Sequence, residues 1–175
     1  MKFYVVVFCA LAIALSGCAN YTWKSSVPQE NRAVFVGVFK NTSNVTGIGN
    51  SIARQVAREF QREGTYKLSA MDNAVLEIQG TVDTVSSSLV ALNREVGMMH
   101  REYRMTGVAK VSFIDKKAGR VLVDNRVYKA YTTFLNSGDM ITSKKDASER
   151  LAEDFAKQIV DDALTLNWEE TKNDK

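Results

Sequence analysis

Two cysteines and one histidine are all this chain has by way of thiol and imidazole chemistry. His100 is accompanied by no metal-spaced ligand set, no G-x-S-x-G elbow and no usable cysteine, so it lacks the oriented partner that catalysis needs and reads as a loop-edge residue. The acidic pairs Glu153-Asp154 and Asp161-Asp162 fall mostly on the solvated side of a helix, where they serve solubility. Gly47-Ile48-Gly49 lies between a strand and a helix, where a phosphate could be cradled. Ile52 stands where the dinucleotide pattern needs its third glycine, so the stretch reads as the start of a helix. Cations gather near loop ends: Arg94, His100, Arg101 and Arg104, then Lys116, Lys117 and Arg120, then Lys144 and Lys145. Such groups bind phosphate or carboxylate through charge-assisted hydrogen bonds. With a quarter of the chain charged, ordinary solvated surface is the plainer reading of these clusters; the chemistry they could do is binding of anions, with no enzyme activity, no cofactor and no metal.

Cys18 is a different case. Lys2 gives a positive start, Phe3 to Leu15 an apolar stretch of signal-peptide length, and small residues then precede the cysteine. Polar residues from Asn20 onward arrive too early for a spanning helix of about 20 apolar residues. The order Leu15-Ser16-Gly17-Cys18 resembles the bacterial lipobox. That resemblance implies a diacylglyceryl group on the Cys18 thiol, cleavage just before it and acylation (palmitate) of the new amine. Two or three acyl chains make a stable anchor, where one holds only marginally. Ala19 occupies the place where an aspartate would resemble the inner-membrane retention signal, so the expected location is the outer membrane, facing the periplasm.

After residues 1–17 are removed, 158 residues remain, a length that suits one domain burying about 70% of its unfolded surface. Cys9 leaves with the signal and Cys18 is taken by lipid, so no disulfide is available and the fold must rest on its core. The formal net charge of +3 becomes +2 without Lys2, too near neutral for a general nucleic-acid binder.

The elements that must position these residues follow from periodicity. Residues 18–32, with Pro28, read as a tether. Ala33 to Phe39 is a continuous apolar run that predicts a strand buried on much of both faces, ended by Asn41-Thr42-Ser43-Asn44. Ile48, Ile52, Val56 and Phe60 recur every four residues and predict an amphipathic helix that Gly64 stops. Tyr66 to Ser69 could form a short strand. Leu76, Ile78, Gly80 and Val82 alternate with polar residues, as do Tyr103, Met105, Gly107, Ala109, Val111 and Phe113, and each set predicts a strand with one core face. Ser86 to Arg101 between them reads as a long loop or partly extended strand. Asp115-Lys116-Lys117-Ala118-Gly119 is a turn, and Arg120 to Tyr131 the returning strand, with weak alternation. Ala147, Leu151, Phe155, Ile159 and Ala163 predict the last helix, capped by Ser143 or Asp146, before a polar tail at 169–175. The expected fold is α+β, a two-layer sandwich of two helices on a mainly antiparallel four-stranded sheet, within a single domain at 33–168.

The lipobox, the strand ending Val38-Phe39-Lys40-Asn41-Thr42, the helix Gly49 to Glu63, Asp72-Asn73-Ala74-Val75-Leu76 leading into a strand, Glu102-Tyr103 opening the next and the terminal amphipathic helix together resemble the LptE family. The resemblance covers essentially the whole chain after the signal. It implies an outer-membrane lipoprotein that assists lipopolysaccharide transport and assembly, sitting as a plug inside the LptD β-barrel and helping that barrel fold. It also implies cations for lipopolysaccharide phosphates and carboxylates; Arg94 and Lys145 best match the family's basic positions, with Arg101 and Lys144 as near alternatives. A structural cell-envelope lipoprotein of the same fold, without a lipopolysaccharide role, is the alternative.

Overall fold

The computed structural model describes residues 27–95, 98–136 and 138–168, with the side chains of 92–100 outside that description. Cys18, the signal, most of the tether and the polar tail therefore lie outside the described residues, as do the side chains of Arg94 and His100.

The architecture is α+β, with two helices on a curled sheet. In chain order the elements are β1 (Ala33–Asn41), α1 (Ile48–Glu63), β2 (Lys67–Leu68), β3 (Leu76–Glu95), β4 (Met98–Asp115), β5 (Arg120–Asn136) and α2 (Met140–Leu164). The sheet order is β2-β1-β3-β4-β5. Strands number five where four were expected, and the pairing is mixed: β1 runs parallel to both β2 and β3, whereas β3-β4 and β4-β5 are antiparallel. The reason is the crossover through α1, which returns the chain to the same end of the sheet before β2 and β3 begin, as a parallel pair requires.

β1 is half-buried, not enclosed on both faces. Val34 and Phe39 face the core, but a register irregularity between Val36 and Phe39 shifts the alternation and leaves Val38 74% exposed. α1 follows its four-residue spacing, with Ile48, Ile52, Val56 and Phe60 all buried. Gly49 at its start has a steric role: a Cβ there would stand 2.2 Å from the Phe39 carbonyl oxygen, so only glycine lets the helix approach β1 this closely. α2 buries Ala147, Leu151, Phe155, Ile159 and Ala163 as its spacing requires. It begins earlier than expected because Asp139, not Ser143 or Asp146, caps it, accepting from the N–H groups of Ile141 (2.9 Å) and Thr142 (3.2 Å). Gly107 on β4 lies beneath this helix, where a Cβ would meet the Phe155 ring at 2.9 Å.

Of the two readings of Ser86 to Arg101, a long loop or a partly extended strand, the second holds: β3 continues to Glu95 and β4 starts at Met98. A register shift at Val82/Thr84 just before it and another at Leu89/Ala91 within it disturb the alternation of β3. β5 runs on to Asn136, with Tyr128, Ala130 and Phe134 inward and Val127, Tyr131 and Leu135 outward.

Candidate functional site

The sandwich has two unlike ends. At the end where β4 turns into β5, several polar groups are tied down. Buried Asp115 accepts from the Ala118 N–H (2.9 Å) and from Arg120 (3.4 Å), and Arg120 also reaches the Trp168 carbonyl (2.8 Å). Lys116 donates its ammonium to the Met71 carbonyl. The Tyr66 hydroxyl donates to Ala163 O (2.8 Å), and burial pushes its pKa up. Of the expected basic clusters, the one at this turn thus has two members committed to holding the fold.

At the other end, β1 stops at Asn41 while β3 and β4 run on. A cavity of about 460 Å3 lies there, lined by Val45, Val85, Met105, Ser87, Lys144 and Lys145, among others. Lys144 and Lys145 belong to the first turns of α2, next to a helix N-terminus whose dipole already favours anions. Hydrogen bonds from the Thr142 hydroxyl and from the Thr142 and Ile141 N–H groups hold the Asp139 carboxyl below its ordinary range, so the cap is anionic at neutral pH.

Among the described residues neither Lys144 nor Lys145 enters an ion pair. Several cations elsewhere are matched, as in Arg54–Glu149 (3.2 Å), Lys110–Asp83 (2.8 Å) and Arg126–Asp162 (2.8 Å). Arg101 is exposed on β4, opposite Asn136 of β5 and Leu92 of β3. It stands four residues, or about 13 Å of strand, beyond the cavity residue Met105. The backbone of Arg94 lies farther out, opposite Met99. The structure therefore brings Lys144 and Lys145 together at one cavity and sets Arg101 and the Arg94 backbone on the projecting hairpin.

Periodicity gives no sign of one further contact: Arg104 lies over the ring of Tyr131, 5.3 Å from its centroid, on the helix-free face of the sheet. The register pairs Arg104 with Thr133 and Thr106 with Tyr131, and these pairings require β5 to continue past Tyr131. Among the described residues no group of three or more His, Cys, Asp or Glu is placed to hold a metal, and no helix is long and apolar enough to cross a membrane.

The LptE family model, described as lipopolysaccharide-assembly, matches residues 32–163. The chain belongs to the LptE family. That match spans every strand and nearly all of α2, so the family's role in lipopolysaccharide assembly attaches to the folded domain as a whole. No curated protein matches this LptE member. Among solved structures, a Xanthomonas campestris protein is similar at 12% identity over 80% of this chain and 88% of its own, with a TM-score of 0.50. A minor lipoprotein from Acinetobacter baumannii is similar at 11% identity over 77% of this chain and 94% of its own, with a TM-score of 0.46. At its identity the Xanthomonas campestris likeness concerns the fold alone.

Proposed function

We propose that this LptE-family chain is a non-enzymatic outer-membrane lipoprotein that assists lipopolysaccharide assembly as plug and folding partner of an LptD-type β-barrel. In this reading residues 1–17 are the signal, Cys18 carries the lipid, residues 18–32 are the tether and residues 33–168 form the domain held at the inner face of the outer membrane. Lipopolysaccharide phosphates and carboxylates meet Lys144 and Lys145, with Arg101 and Arg94 on the hairpin as further cations. The observation that carries it is the pair of lysines beside a cavity that, among the described residues, have no ion-pair partner, in a chain of this family. An ammonium left without a carboxylate keeps its full charge for a ligand anion.

The test pairs two measurements. Affinity purification of the lipidated protein from outer membranes is expected to recover a large β-barrel partner; its consistent absence would sink the plug role. The double variant Lys144→Glu, Lys145→Glu is expected to lose lipopolysaccharide binding with its thermal unfolding unchanged. Retained binding would favour the purely structural lipoprotein.

A further inference from the structure

β3 is the longest strand of the sheet, yet its neighbour β1 accompanies only its first part. The parallel ladder ends where Asn41 meets Val82. There Thr42 closes it, donating its N–H to Val82 O (3.0 Å) and its hydroxyl to Val82 O (2.9 Å). The Asn41 side chain then turns the chain away, donating to Val45 O (2.8 Å) and accepting from the Ser43 N–H (3.0 Å). From Thr84 to Glu95, β3 has β4 on one side and, among the described residues, no strand on the other.

The backbone groups that face this gap follow from the hydrogen bonds of the opposite edge. On β5 the carbonyls of Lys129 and Thr133 accept from Gln158 (3.2 Å) and Arg150 (3.0 Å) of α2, so these two residues point away from β4. Their neighbours Tyr128, Ala130, Thr132 and Phe134 therefore form the hydrogen-bonded pairs with β4. Carried across β4, the same alternation makes Thr84, Ser86 and Ser88 the bonded partners of Val108, Thr106 and Arg104. Val85, Ser87 and Leu89 are left with N–H and C=O aimed into the gap.

The two edges are treated differently. Side chains of α2 cover carbonyls along β5. The β3 edge from Thr84 to Leu92 has no charged residue and no proline, the usual devices that keep a free edge from pairing. The cavity lies beside that edge, with Val45, Val85 and Met105 as its apolar lining and Lys144 and Lys145 as its cations.

We propose that an extended, acidic segment of a partner polypeptide adds as a strand along Val85 to Leu89, seats an apolar side chain in the cavity and brings a carboxylate to Lys144 or Lys145. A row of main-chain donors and acceptors is matched by another polypeptide backbone, and an acyl chain has no such row. The lysines select for acidic side chains. A second copy of this chain is a poor occupant because its own β3 edge carries no carboxylate from Thr84 to Leu92. The inference stands apart from the glycolipid reading, although both ligands use the same lysines and so compete.

Amide hydrogen exchange on the isotope-labelled full chain tests it, using a synthetic peptide of alternating valine and aspartate and a valine–lysine counterpart. At saturating aspartate peptide, Val85, Ser87 and Leu89 are expected to slow by about tenfold or more while Thr84, Ser86 and Ser88 stay as slow as before. The lysine peptide should give no protection. Ser87→Pro removes one gap-facing N–H without touching the β4 ladder and should weaken the aspartate peptide about tenfold. Lys144→Glu with Lys145→Glu, which does not strain the backbone, should shift preference to the lysine peptide even where the proline variant misfolds. Absent or non-alternating protection, equal binding of both peptides, or the same alternating pattern produced by lipopolysaccharide micelles would each overturn the proposal.

Discussion

Where β4 turns into β5, Arg120 spans Asp115 and the Trp168 carbonyl and Lys116 holds Met71, whereas at the opposite end Lys144 and Lys145 stand beside a cavity with no ion pair among the described residues. The two ends draw on the same residue types for different purposes. Cations at the first are structural, because their partners are buried or backbone groups that would otherwise lose hydrogen bonds. Cations at the second enter no ion pair among the described residues, so their removal is expected to cost the fold little.

Substitutions can break or sharpen this contrast. The largest effect belongs to an exception at the open end. Gly49→Val forces a side chain against the Phe39 backbone and is expected to cost about 3 kcal/mol, read as a lowered midpoint in urea unfolding. An unchanged midpoint would mean that α1 can shift off β1 freely. Asp115→Ala removes a buried carboxylate that accepts from Ala118 and Arg120, and a loss of about 2 kcal/mol is expected with lipopolysaccharide binding intact. Tyr66→Phe leaves the Ala163 carbonyl without its donor and should cost about 1 kcal/mol by the same measurement. Lys144→Glu with Lys145→Glu should change stability by less than about 0.5 kcal/mol while abolishing glycolipid binding.

The ends should also fail at opposite extremes of pH. The folded Tyr66 hydroxyl has a pKa raised above its ordinary 10.0, so its contribution is full below that value and declines as pH rises above it. Asp139 has a folded pKa lowered from 3.8, so its cap is fully effective above that value and is lost as pH falls below it. Tyr66→Phe should flatten the alkaline limb of a stability profile and Asp139→Asn the acid limb.

The sequence was most legible where one face of an element is buried along its whole length. Ile48, Ile52, Val56 and Phe60 on α1, and Met105, Ala109, Val111 and Phe113 on β4, keep a single period because each contacts the core. It was least legible from Ser86 to Glu95, where β3 is exposed from Ser86 to Val90 and a register shift at Leu89/Ala91 interrupts its alternation. Parallel pairing of β1 was hidden for another reason: strand direction is set by the α1 crossover and leaves no mark on the residues of β1. Lys144 and Lys145 could be named as candidates from their position before the last helix. The cavity beside them could not, since it arises where β1 ends short of β3.

α2 comes after every strand yet supplies eight of the buried residues of the core. A chain that emerges N-terminus first therefore completes its sheet before the helix that must cover β4 and β5 is available. Until Phe155 settles over Gly107, that half of the sheet has one dry face open to the first apolar surface it meets. Timing is thus built into the order of elements. A chain ending before Met140 is expected to bind a hydrophobic dye and to be recovered with a chaperone, and adding the α2 peptide in trans should release it.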